Sequence, residues 1–183
     1  MLQTFRAKAQ AVSAEVHQAP TRQAALDFVV GFLGEAGVAD APRQRAVWAE
    51  GPLLAGVDRA ALAARAPGLG FGATKESAEA ALVGVSEVDF GVANTGTLAM
   101  AADRIELRLV SSLPPIHLAI LSADRLVADL GQLFARLSPR QTRYLALITG
   151  PSRTADIERV LTIGVHGPER LVIVVVGGTP GRN

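Results

Sequence analysis

Apolar positions change their spacing twice along this chain. Residues 2–18 carry apolar side chains near helical spacing, and Pro20 closes the segment. Thr21 is placed to cap a second helix, TRQAALDFVVGFLGEAG, ending at Gly34 or Gly37. Residues 1–40 therefore read as an N-terminal helical arm, packed on the rest of the chain or on a partner, and residues 41–183 as an α/β domain. From about residue 44 the pattern mixes periods. RAVWAEG suits a short strand, and VDRAALAARA suits a helix ended by Pro67-Gly68. Thr74 is expected to cap the helix KESAEAALVG, with Glu76 and Glu79 near its positive end. EVDFGVANTGTLAMA holds two apolar runs around Asn94-Thr95-Gly96, a hairpin signature. IHLAIL, after Pro114-Pro115, predicts a buried strand, and DRLVADLGQLFAR an amphipathic helix. YLALITG and RLVIVVVGG are continuous apolar runs, the kind that suit a parallel sheet covered on both faces. Strand and helix alternate over the last stretch, so the fold class is α/β with a mostly parallel sheet and N-terminal helices.

Composition narrows the function classes. Apolar residues make up 49% of 183, enough for a packed core, and charged residues only 19%, which argues against a disordered or nucleic-acid-coating chain. The net charge of +1 gives no reason to expect nucleic acid or an anionic membrane as partner. There is no cysteine, which excludes disulfides, thiolate zinc sites, thiolate-bound iron–sulfur clusters and a cysteine nucleophile in this chain. Three histidines, at 17, 117 and 166, leave little for a metal site, and none is expected. The longest apolar run, Leu171 to Val176, is too short to span a bilayer, and no apolar signal segment is visible near residue 1, so a cytoplasmic protein is expected.

Chemistry-bearing residues gather in a few short stretches. In TGPSRTADIE, residues 149–158, a strand-like run gives way to Gly150, Pro151, Ser152, Arg153 and Thr154. If a helix starts near Thr154, its free N–H groups, the two hydroxyls and the Arg153 fork could hold a carboxylate or phosphate at a strand's carboxyl end. The same residues equally suit a plain turn in which Ser152 or Thr154 is an N-cap, and Asp156 and Glu158 would weaken anion binding. His166, beside Gly167 and Pro168 in GVHGPE, could be a general base or ligand donor, or an ordinary turn histidine. Asn94-Thr95-Gly96-Thr97 is either a polar tip aimed into a cleft or a turn chosen for positive φ. His117 lies within an apolar run, as a ligand or as a satisfied core histidine, and Trp48 reads as core. GLGFGATKE resembles a phosphate loop only superficially: no strand precedes it, and no glycine stands directly before Lys75. Nucleophile-elbow and H-E-x-x-H motifs are absent, and no carboxylate pair stands out.

VDFGVANTGTLAM, SSLPPIHLAIL and ITGPSRTADIERVLTIGVHGPERLVIVVV together resemble the LUD domain family of lactate utilization proteins. The resemblance covers roughly residues 80–177, and its most specific block pairs GPSRTADIE with GVHGP. It implies a three-layer α/β/α fold like the NagB/RpiA/CoA-transferase group. The implied setting is oxidation of L-lactate to pyruvate, with iron–sulfur clusters carried by partner proteins and no cofactor in this chain. The family motif positions are Thr95, Gly96, Thr97, His117, Gly150, Ser152, Arg153, Thr154, Asp156, His166 and Gly167. Asn94 departs from the pattern, standing where the family commonly has an acid before the TGT; an amide hydrogen-bonds but is no base at neutral pH. The expected role is a non-iron–sulfur component binding a small organic anion. The alternatives are a stand-alone isomerase, acyl transferase or cyclo-ligase-like enzyme of the same fold group acting on an anionic metabolite, and a scaffold whose N-terminal helices dock partners.

Overall fold

The computed structural model describes residues 1–155, 161–163 and 167–177. Its elements run α1 (Leu2–Ala11), β1 (Glu15–Ala19), α2 (Arg22–Glu35), β2 (Arg45–Trp48), α3 (Arg59–Arg65), β3 (Leu69–Phe71), α4 (Lys75–Glu79), β4 (Ala81–Val88), β5 (Phe90–Val92) and β6 (Thr97–Ala101). They continue with α5 (Ile105–Ser112), β7 (Ile116–Ser122), β8 (Leu126–Val127), α6 (Leu130–Arg136), β9 (Leu145–Ile148), β10 (Arg153–Ala155), β11 (Leu161–Ile163) and β12 (Arg170–Val176). The main sheet is parallel throughout, in the order β1-β12-β7-β4-β2-β3. A second sheet, β8-β5-β6-β9, contains the antiparallel hairpin β5–β6.

Alternation on two largely apolar strands builds both faces of the main sheet. Val172, Val174 and Val176 of β12, with Leu118 and Ile120 of β7, pack under α2 and α3 through Leu26, Val29, Phe32, Leu33 and Leu62. Leu171, Ile173 and Val175, with Ala119 and Leu121, face the other way. There they meet Phe5 and Ala9 of α1, Leu107 and Val110 of α5, and Leu98 and Met100 of the second sheet. The outer side of that sheet is closed by Leu133 of α6 against Phe90, Val92, Ala99 and Val127. A mostly parallel sheet with helices on both faces is the expected three-layer α/β/α arrangement, with the small sheet added to one side.

Tertiary pairing redraws several expected elements. The first helix stops at Ala11, not residue 18: Ser13 takes φ +68°, and Glu15–Ala19 pairs along β12 as an edge strand. An Ala-rich segment has helical propensity, but the open edge of a largely apolar strand outweighs it. The helix capped by Thr74 likewise ends at Glu79, because the following residues pair between β2 and β7. In the stretch read as one helix from Asp124, Leu126–Val127 instead joins β5, and α6 begins after Asp129, whose carboxylate accepts from the Gln132 N–H. The α5 helix has no counterpart in the sequence reading. YLALITG does form a strand, but an antiparallel one beside β6, with Leu147 exposed, not a parallel strand covered on both faces. The expected helix near Thr154 is replaced by a strand: Arg153–Ala155 pairs antiparallel with Leu161–Ile163.

Candidate functional site

His117 is the second residue of β7, and the alternation of that strand turns it toward α5 and the second sheet. On one side it is level with Gly84 of β4, on the other with Leu171 of β12. Gly84 has no room for a side chain: a Cβ there would lie 2.1 Å from the Val110 carbonyl oxygen. The end of α5 therefore lies directly on β4, bringing Ser111 alongside His117. The imidazole is fully buried, and its Nε2 is 2.9 Å from Ser86 Oγ, while Nδ1 has no partner. Desolvation lowers the pKa of His117 to about 4, so the ring is neutral at pH 7.

The turn after β9 supplies the opposite wall. Gly150 takes φ +73°, and the Val12 carbonyl oxygen occupies the space where its Cβ would be, at 2.3 Å. The Ser152 N–H donates to the Pro168 carbonyl at 2.8 Å, tying this turn to the loop before β12. Gly167 completes the contact, since a Cβ on it would come within 3.1 Å of the Ser152 Cβ. Between these walls lies a cavity of about 20 Å³, lined by Ser111, His117, Ile148, Gly150, Pro151, Ser152, Pro168 and Leu171. A space of that size holds about one water.

The hairpin tip stands beside the same turn. Thr97 is buried, and its hydroxyl lies 2.8 Å from those of both Thr95 and Thr149, the residue preceding Gly150. Gly96, with φ +71°, lets α1 pass so closely that a Cβ would lie 2.3 Å from the Ala9 nitrogen. Asn94 is exposed, and its N–H donates to the Ala128 carbonyl.

Of the sequence-derived candidates, the structure gathers His117, Gly150 and Ser152 at one cavity, with Gly167 packed against Ser152 and with Thr95 and Thr97 joined to its rim through Thr149. Arg153 and Thr154 begin β10, so no helix N-terminus stands behind Ser152 and no helix dipole is available there for an anion, contrary to expectation. Asp156 and His166 lie outside the described residues. The turn does follow the carboxyl end of β9, but β9 belongs to the antiparallel sheet, and the cavity adjoins the amino ends of β7 and β12. Ser86, Ser111 and Pro168 were not singled out from sequence. A lone serine in the apolar run LVGVSEV was the one available signal. Among the described residues no cluster of His, Asp or Glu could hold a metal ion, and no helix is long and apolar enough to cross a membrane.

Comparison with known proteins places the chain in a family. Lactate utilization protein C of Halalkalibacterium halodurans is 36% identical over 107 residues, covering 55% of this chain and 46% of that one. Lactate utilization protein C of Macrococcus caseolyticus is 37% identical over 105 residues, covering 54% and 46%. The chain thus spans about half the length of the curated relatives it matches. A crystal structure of a DUF162 family protein from Deinococcus radiodurans superposes with a TM-score of 0.64, covering 96% of both chains at 20% identity, which establishes a shared fold. The LUD domain family model matches residues 2–176, and the chain belongs to that family.

Proposed function

We infer that this chain is a non-iron–sulfur component of an L-lactate utilization system, and that it binds a small carboxylate or similar anion at the cleft between the Gly150–Ser152 turn and His117. The observation that supports the reading is the convergence of the motif residues: His117, Gly150 and Ser152, far apart in the chain, line one small cavity. The names of the relatives supply the metabolic setting. With no cysteine in the chain there is no thiolate to hold an iron–sulfur cluster, so electron transfer falls to clusters in partner chains.

The test is a pull-down of tagged protein from its own cells grown on L-lactate, followed by lactate-dependent dye reduction on the eluate. Co-purifying iron–sulfur proteins with lactate-dependent reduction support the reading. A chain that elutes alone and inactive, with lactate growth unaffected by its deletion, overturns it.

A further inference from the structure

We propose that the open edge of β9 docks an extended segment of another protein, apolar at alternate positions and acidic at the end that meets Arg140 and Arg143. β9 is the last strand of the second sheet, and among the described residues only β6 bonds to it. That pairing fixes where its backbone points. The Ala102 N–H donates to the Tyr144 carbonyl at 2.8 Å, and Met100 and Leu98 stand opposite Ala146 and Ile148. These are the bonded pairs of an antiparallel ladder, so Leu145 and Leu147 direct their N–H and C=O groups away from β6, to the open side. Tyr144 to Gly150 holds neither a charge nor a proline, the devices by which sheet edges resist a further strand. The outer face beside this edge is apolar and incompletely covered. Phe90, Ala99 and Leu147 form a row across three strands, and Leu147, at its end, is 45% exposed. An added strand continues that row and buries Leu147.

Charge selects the occupant. Arg136 ends α6, and Arg140 and Arg143 lie on the segment that carries the chain from α6 to the Leu145 end of β9. All three are exposed, and none has a carboxylate partner among the described residues. Elsewhere exposed arginines are paired, as Arg45 is with Asp40 and Arg65 with Asp27. The acids on this side are already used: Asp103 accepts the N–H groups of Arg143 and Tyr144, and Asp129 accepts that of Gln132. A second copy of this chain, paired antiparallel along β9, sets Arg140 and Arg143 toward the Thr149–Ser152 turn, which has no acid. A segment with Asp or Glu at that end supplies the missing charge. In antiparallel pairing the partner's carboxyl-terminal end lies against Leu145, so the acids belong there.

The experiment uses the whole ¹⁵N-labelled chain and the peptide acetyl-Thr-Val-Thr-Val-Thr-Glu-Asp-amide, with a control peptide carrying Lys-Lys in place of Glu-Asp. Amide shifts and hydrogen exchange at Leu145 and Leu147 are followed through the titration. Both amides are expected to exchange fast in the free chain and to slow at least about tenfold when the acidic peptide saturates it. At low salt that peptide is expected to bind at least about tenfold tighter than the lysine peptide, the gap narrowing as salt rises. Leu147→Lys, at an exposed site, is expected to keep the fold and lose the peptide. Arg143→Glu is expected to reverse the preference toward the lysine peptide. Slow exchange at both amides in the free monomer means the edge is already covered, and overturns the proposal. Slow exchange that grows with protein concentration, with a dimer in sedimentation, makes the occupant a second copy and overturns it too. So does a failure of the acidic peptide to bind, or equal binding of the two peptides. Binding that leaves both amides unprotected reduces the arginines to a general anion patch and also overturns it.

Discussion

Replacing Gly96 by alanine tests whether α1 is locked against the hairpin tip, and the structure contains its own control. Gly96 and Gly72 have nearly the same backbone angle, φ +71° and +70°. Alanine in that left-handed region costs roughly 1–2 kcal/mol at either position, and the entropy lost from the unfolded chain is the same for both. Only the surroundings differ. An added Cβ at Gly72 meets nothing within 4 Å, whereas at Gly96 it lies 2.3 Å from the Ala9 nitrogen and 2.6 Å from the Lys8 carbonyl carbon. Those neighbours are backbone of a packed helix and cannot rotate away. Overpacking of this kind adds about 1–3 kcal/mol, which for a chain of this length lowers Tm by a further ~3–9 °C relative to Gly72→Ala. Chemical and thermal denaturation of the two variants, with Gly56→Ala as a second open-space control at φ +71°, give the comparison directly. Equal losses for Gly96→Ala and Gly72→Ala would show that α1 does not press on the turn.

Three further outcomes are expected. His117 stays neutral in the folded protein down to about pH 4 but takes a proton near its ordinary 6.5 when unfolded. Its contribution is therefore fully present above pH 6.5 and declines toward pH 4, by about 3 kcal/mol; stability measured across that range in wild type and in His117→Phe checks this, and identical acid slopes contradict it. Glu87 is pushed above the usual carboxylate range by burial, although its Oε1 accepts the Leu53 N–H at 2.6 Å. A raised acid costs the fold more as pH climbs past its ordinary 4.5, so Glu87→Gln, which keeps the acceptor, should gain stability relative to wild type at pH 7 compared with pH 4. Arg170 grips Glu15 with two bonds of 2.5 and 3.0 Å and so lowers the Glu15 pKa, tying β12 to β1 at a half-exposed site. Glu15→Gln should cost only about 0.2–1 kcal/mol, and less at high salt. In wild type the contribution disappears as pH falls below the ordinary carboxylate range, and a loss above about 2 kcal/mol in denaturant titrations would mean the pair is effectively buried.

The legible parts of this fold are those decided within a few residues. Largely apolar runs mark β7 and β12 because both faces are covered, and Asn94-Thr95-Gly96 marks the hairpin because its turn needs positive φ. Elements decided by distant partners are not legible in the same way. Glu15–Ala19 is a strand only because β12 needs a neighbour, and Arg153–Ala155 is a strand only because Leu161–Ile163 pairs with it. The site divides likewise. A histidine inside IHLAIL is visible from sequence, but its bond to Ser86 depends on how β4 and β7 align, which periodicity leaves open. Gly96 and Gly150 look like ordinary turn residues; that both are pressed by the end of α1 is a fact of packing between distant segments.

The position of β12 also bears on the order of assembly. This strand lies between β1 and β7, both of which precede it in the chain. As the polypeptide leaves the ribosome, β7 can join β4 while β1 waits with no sheet to enter, since its neighbour is still unmade. The sheet closes only when an almost wholly apolar segment inserts between two edges made earlier, a late and long-range step of the kind that slows folding. Until then the nascent chain exposes an apolar strand edge beside β7, the form of this protein most in need of a chaperone during synthesis.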